Sequence, residues 1–245
     1  DLVRSRGLGD VYKRQTLILG SIFGMANILQ QVSLLYTDIA NSAVFTVLYV
    51  VIVPLISYFI FSIKIHPSIW PSVTLCLIGG LLLSEIKNYD VRFGDMLVII
   101  GAFFWAFHII FIYKVLKFFN FPIAIATFQC LVAGIFCSFP ALAFETVTIN
   151  LISKEITELL YAGILSSGVA FMLQAYAQRV LSPASVAIIF SLEGVFASIF
   201  GWILLDQFLS EIKVFGIMII LFALKQKIFF ENCSVRIKIL RHIEL

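Results

Sequence analysis

The sequence predicts an all-α bundle of eight membrane-spanning helices, and three observations carry that prediction. Hydrophobic residues fill 61% of the 245 positions and charged residues only 13%, roughly half the ~25% charged share of a soluble domain. Apolar stretches near the ~20 residues that a bilayer span requires recur from Thr16 almost to the C-terminus. The breaks between them are short and collect most of the charge, so lipid rather than water is the expected solvent of the apolar stretches.

The opening DLVRSRGLGDVYKRQ, residues 1–15, is polar and basic and lacks the apolar middle of a signal peptide. It resembles a translated sequencing-adapter remnant and is expected to be a non-native leader; the alternative is a short basic cytoplasmic lead. The first span, Thr16 to Tyr36, starts abruptly with TLILG and carries the amides Asn27, Gln30 and Gln31. The second, Ile39 to Ile63, contains Pro54, which removes one backbone hydrogen bond and is expected to kink the helix, either as a gate or as a plain structural bend. The third, Pro67 to Ser84, opens on a proline and stops at EIKNYDVRFGD, the most polar interior segment.

The fourth span, Gly94 to Tyr113, holds Trp105 and His108. The fifth runs from Phe121 to Phe144 and the sixth from Glu158 to Gln178. A short Ser182-Pro183 turn leads into the seventh, Leu181 to Leu205. The eighth, Phe208 to Leu224, is the weakest, because Lys213 must snorkel to a surface. The chain thus divides into 16–88, a partial first repeat of three helices, 89–230, a second repeat of five, and 231–245, a basic cytoplasmic tail that either lies against anionic lipid or is simply solvated.

Alternating spans sort the charges by side. One side receives Lys64, Lys114, Lys117, Arg179, Lys225, Lys227, Arg236, Lys238 and Arg241; the other receives Lys87, Arg92, Lys154 and Lys213. Nine against four places the C-terminus in the cytoplasm by the positive-inside rule. The net charge of +3 therefore reads as topology, and no nucleic-acid partner is expected. Cys76, Cys130 and Cys137 fall within spans and Cys233 in the tail, so no disulfide framework is implied.

A shift of 144 residues matches Gly24 with Gly168, Leu29 with Leu173, Gln30 with Gln174, Ala40 with Ala184, Ala43 with Ala187, Leu48 with Leu192 and Val51 with Val195. The shift advances the chain by five spans, and an odd number reverses orientation. Two inverted five-helix repeats are expected, ten helices in all, with the first repeat short by two.

Glu193 is the one charge deep inside an apolar stretch, where insertion scales place its cost at about 2.5–3.5 kcal/mol. Its expected role is to bind a cationic or hydrogen-bonding solute group or to carry a coupling proton; the structural alternative is an interhelical hydrogen bond from a protonated acid. Tyr49 lies opposite Glu193 under the 144-residue shift. Gln30 and Gln174 are cavity candidates or interhelical glue, and Trp105 with His108 forms an aromatic wall, a proton relay or a helix contact. Ala184, Ala187, Ser191, Gly194, Ser198 and Gly201 make a seam of small residues. A second seam runs through Gly163, Ser167, Ala170, Gln174 and Ala177, and the two are expected to pack spans six and seven together.

His66 and His242 are too dispersed to build a metal site with His108, and HExxH, GxSxG, GxxxxGK[ST] and GxGxxG are all missing. No enzyme activity, metal or cofactor is expected, and active transport would draw on a gradient. The stretches LYAGILSSGVAFMLQAYAQRVLSPASVAIIFSLEGVFASIFGWILL and LQQVSLLYTDIANSAVFTVLYVVIVPLISYF, with GAFFWAF at Gly101 to Phe107, resemble the EamA-like family of the drug/metabolite transporter superfamily. The likeness runs from Thr16 to Leu224. It departs where the family has proline after the glutamate and a GE pair at the helix end; here stand Gly194 and Leu205-Asp206.

The resemblance implies a bacterial or archaeal inner (plasma) membrane protein with both termini inside. It also implies alternating access around a cavity lined by the spans holding Gln30, Tyr49, Gln174 and Glu193, and a small metabolite, amino acid or drug as solute, commonly exported. The competing expectation is a non-transporting membrane scaffold or regulatory protein whose polar residues only join helices. A lipid-modifying enzyme would need a nucleophile or metal-ligand cluster that the sequence lacks.

Overall fold

In the computed structural model the described residues, 2–84, 92–206 and 208–243, are helices joined by short connections, with no strand among them. In chain order these are α1 (Leu2–Ser33), α2 (Ile39–Val47), α3 (Tyr49–Phe59), α4 (Ile69–Ser84), α5 (Phe93–Phe118) and α6 (Pro122–Phe144). The short α7 (Ile149–Lys154) and α8 (Ile156–Leu160) follow, then a π-helical stretch Tyr161–Val169, α9 (Ala170–Gln178), α10 (Pro183–Phe190), α11 (Leu192–Leu205) and α12 (Glu211–Ile243). Among the described residues six helices are long and apolar enough to cross a bilayer: Val11–Ser33, Asn41–Phe59, Phe93–Phe118, Pro122–Phe144, Ile156–Gln178 and Pro183–Leu204.

Several boundaries differ from expectation. The third expected span is the 16-residue α4, shorter than the ~20 residues of a perpendicular crossing. The helix that starts the chain does not wait for Thr16, because nothing in residues 2–15 breaks it, and Tyr12 packs edge-on against Phe119 and Phe128. Residues 231–243 likewise continue α12 rather than leaving it as a separate tail. The 85–91 part of the expected divide between halves, with Lys87, lies outside the described residues.

Local sequence explains the helix ends. Ser182 caps α10 by accepting from the Ser185 N–H at 3.2 Å, and Pro183 occupies the first helical turn, where a missing N–H costs nothing. Asp206 ends α11 in the left-handed region at φ 50°, a conformation that Asp tolerates better than most residues. At the start of α5 the Asp95 carboxylate accepts from the Arg92 N–H at 2.8 Å and from the Thr37 hydroxyl. Arg92 Nη1 reaches Asp38 at 2.7 Å, so the turn after α1 is tied to the start of α5.

Lipid offers no hydrophobic drive between helices, so close backbone approach and dispersion hold such a bundle. α1 meets α6 through Gly20 and Gly24: a Cβ on Gly20 would stand 2.4 Å from Val132 Cβ. α4 meets α12 through Gly79 and Gly216, where a Cβ on Gly79 would stand 2.9 Å from the Gly216 carbonyl oxygen. The largest apolar cluster joins α3, α4, α5 and α10 through residues such as Val50, Val53, Cys76, Ile110 and Ile188. A second joins α1, α5, α6 and α9 around Leu19, Ile112 and Ile125.

Candidate functional site

Two interrupted helices position the site. The second expected span breaks at Leu48, whose N–H turns back to the Phe45 carbonyl at 3.2 Å. The seventh breaks at Ser191, whose hydroxyl bonds the Ile188 carbonyl at 2.6 Å and the Cys76 sulfur at 3.3 Å, fixing the break against α4. Tyr49 is the first residue after one break and Glu193 the second residue after the other. Pro54 lies six residues beyond Leu48 within α3, so the proline and the break are separate features of that span.

Beside the breaks lies a cavity of about 680 Å³, within the ~300–1,000 Å³ of small-molecule sites. α1 contributes Asn27, Gln30 and Gln31, α5 contributes Trp105, and the π-helical stretch with α9 contributes Ser166, Ser167 and Gln174. Tyr49 and Glu193 complete the wall. Glu193 is open to the cavity, and it has no hydrogen bond or ion pair among the described residues. Tyr49, only 6% exposed, lies within electrostatic reach of it. No Lys, Arg or His lines the cavity among the described residues.

The amides are oriented by partners of fixed polarity. The Trp105 indole N–H can only donate and reaches Gln30 Oε1 at 2.8 Å, which leaves the Gln30 NH₂ free. Asn27 Nδ2 donates to the Phe23 carbonyl at 2.8 Å, leaving its oxygen. Gln178 Nε2 donates to the Ile109 carbonyl at 2.8 Å, so its oxygen must be the acceptor for Gln174 Nε2 at 3.2 Å. Gln174 Oε1 is then buried without a donor, a condition costing about 1–3 kcal/mol. Thr46 likewise spends its proton on the Ser42 carbonyl, at 2.8 Å.

Five of the six expected site residues, Glu193, Tyr49, Gln174, Gln30 and Trp105, line this one cavity. His108 does not. It is fully buried, its Nε2 3.0 Å from Gln129 Oε1, with Phe23 stacked on it at 4.9 Å and the Phe171 ring at 5.8 Å. Trp105 and His108 share a helix face, but His108 stands about 4.5 Å further along the axis, behind those two rings.

The small-residue seams also separate. Ala184 and Ala187 are buried in the largest cluster, a Cβ on Gly194 would stand 3.4 Å from Leu83 Cδ1, Gly201 is buried, and Ser198 donates to the Gly194 carbonyl at 2.8 Å. Gly163 faces open space, and α9 packs on α6 and α5 more than on α10. The expected tight pairing of spans six and seven is therefore corrected. Ser167, Ala170 and Gln174 face the cavity, and small side chains there leave volume instead of filling it. The sequence reading missed Thr46, Phe171 and Phe196 as lining residues; each stands three positions from Tyr49, Gln174 or Glu193, a helical spacing that could have found them.

Comparison with known proteins agrees with this architecture. The EamA-like transporter family matches residues 92–224. A protein of Archaeoglobus fulgidus (strain ATCC 49558 / DSM 4304 / JCM 9628 / NBRC 100126 / VC-16), described as an uncharacterized transporter, is 31% identical over 194 residues. That match takes in 79% of this chain, and the chain spans 62% of the relative's length. A crystal structure with 11% identity superposes with a TM-score of 0.69 over 92% of this chain and 93% of its own, which shows a shared fold.

Proposed function

The chain belongs to the EamA-like transporter family, and from that premise we propose that it is a secondary transporter moving a small organic solute through the 680 Å³ cavity by alternating access. Export is the proposed direction, the inner (plasma) membrane the location, and the cytoplasm the side of the C-terminus. The observation that carries the reading is the convergence of Gln30, Tyr49, Gln174 and Glu193 from four separate spans on one cavity. Those spans are also related by the 144-residue shift, and the two interruptions fall one residue before Tyr49 and two before Glu193.

These features support two oppositely oriented repeats rocking about the shared cavity, with α4 and α12 completing a set of eight spans. Glu193 binds the solute or a coupling proton, Tyr49 and Gln174 shape the site, and the peripheral helices contact lipid. No catalytic step is part of the proposal. The test is flux across proteoliposomes in both orientations. Abolished flux in Glu193→Gln with unchanged folding upholds the reading. Unchanged flux with altered self-association would instead favour a membrane scaffold, and cysteine accessibility at both ends of the chain tests the orientation.

A further inference from the structure

The one charged group among the described lining residues is an acceptor, and other acceptors beside it are unspent. Three amide-bearing residues on its wall have their donor and acceptor ends fixed by groups that cannot reverse, an indole N–H and two backbone carbonyls. Among the described residues the outcome leaves the Asn27 oxygen unspent, the Gln174 oxygen buried without a donor, and the Glu193 carboxylate unpaired. Thr46 offers lone pairs only, since its proton is engaged. Against them stand the Gln30 NH₂, the second N–H of Asn27, both ends of the Gln31 amide, and the Tyr49, Ser166 and Ser167 hydroxyls, all neutral. Leu34, Ile109, Ile189, Phe190 and Leu192 make much of the rest apolar, and Trp105 and Phe171 stack at an interplanar angle of 6°.

Resting on the solute-site reading above, we propose that the cavity selects organic cations carrying N–H donors, primary ammonium compounds with a flat apolar body, over zwitterions, anions and fully alkylated ammonium ions. The ammonium supplies the charge that Glu193 lacks a partner for and the donors that the Gln174 and Asn27 oxygens lack. A carboxylate on the solute would meet no cationic side chain among the lining residues. A trimethylammonium head keeps the charge and the cation–π attraction to aromatic faces but has no N–H to give.

The experiment measures binding to the full chain in lipid nanodiscs by titration calorimetry with four probes sharing one ring: phenethylamine, its N,N,N-trimethyl derivative, phenylalanine and phenylacetate. Phenethylamine should bind at least about tenfold more tightly than each of the others. Glu193→Gln should remove about that factor for both cations. Gln174→Met should narrow the gap between phenethylamine and its trimethyl derivative. Equal affinity for those two cations, a preference for phenylalanine or phenylacetate, or no binding of phenethylamine overturns the inference. Glu193-dependent flux of some other solute would then leave the transport reading standing, whereas amine binding without any flux would overturn transport and keep the ammonium preference.

Discussion

The α2–α3 and α10–α11 spans each carry a one-residue interruption, at Leu48 and at Ser191, and treat the residues beyond it differently. α3 follows Leu48 with Tyr49, 6% exposed, and buries Val50, Val53, Pro54 and Ile56 among its neighbours. α10 is just as buried, from Pro183 to Ile188, but α11 turns Glu193 out into the cavity. α3 and α10 pack on each other as a floor, and α11 carries Glu193 from that floor to the open wall. A broken helix by itself does not make a site; what matters is whether the first turn after the break meets neighbouring side chains or empty volume.

The largest effect that would sharpen this contrast is expected from Glu193→Gln. Flux in proteoliposomes should fall about tenfold or more, the size of a lost charge-assisted hydrogen bond. Thermal unfolding in detergent should be nearly unchanged, because Glu193 has no hydrogen bond or ion pair to lose among the described residues. A matching loss of stability would mean that Glu193, like Tyr49, is part of the packing. Gly79→Leu comes next: the Gly216 carbonyl and Ile220 leave no room for a side chain, so unfolding should show a loss of about 1–3 kcal/mol.

Tyr49→Phe is expected to lower flux a few-fold with a smaller change in stability, since it deletes a hydroxyl at the wall but keeps the buried ring. An effect as large as that of Glu193→Gln would erase the distinction between floor and wall. Gly163→Ala marks the other end of the scale. A Cβ there meets nothing within 4 Å, and alanine is the better helix former, so stability should stay within about 1 kcal/mol of the parent or rise slightly.

Much of the cavity lining was legible in the sequence. The self-match at 144 residues paired Tyr49 with Glu193 and Gln30 with Gln174, and all four line the cavity. His108 was misplaced because helical spacing reports the face of a residue but not its depth, and two phenyl rings cover it. Gly163 and Ser167 were misread because a run of small residues serves equally to admit a neighbouring helix or to leave a space. The seam at Gly79 and Gly216 shows the first use, and the wall at Ser167, Ala170 and Gln174 the second.

The sequence by itself determined that this chain forms helices for a bilayer and that Glu193 needs a reason to stand within one. Both follow from local quantities: apolar length, helical period, and the cost of a charge in lipid. Only the tertiary structure decided which seam closes, which polar residues meet, and which end of each amide remains open. Those outcomes depend on what the neighbouring helix presents. Gln174 has an orphaned oxygen only because Gln178 is committed to the Ile109 carbonyl, 69 residues away in the chain.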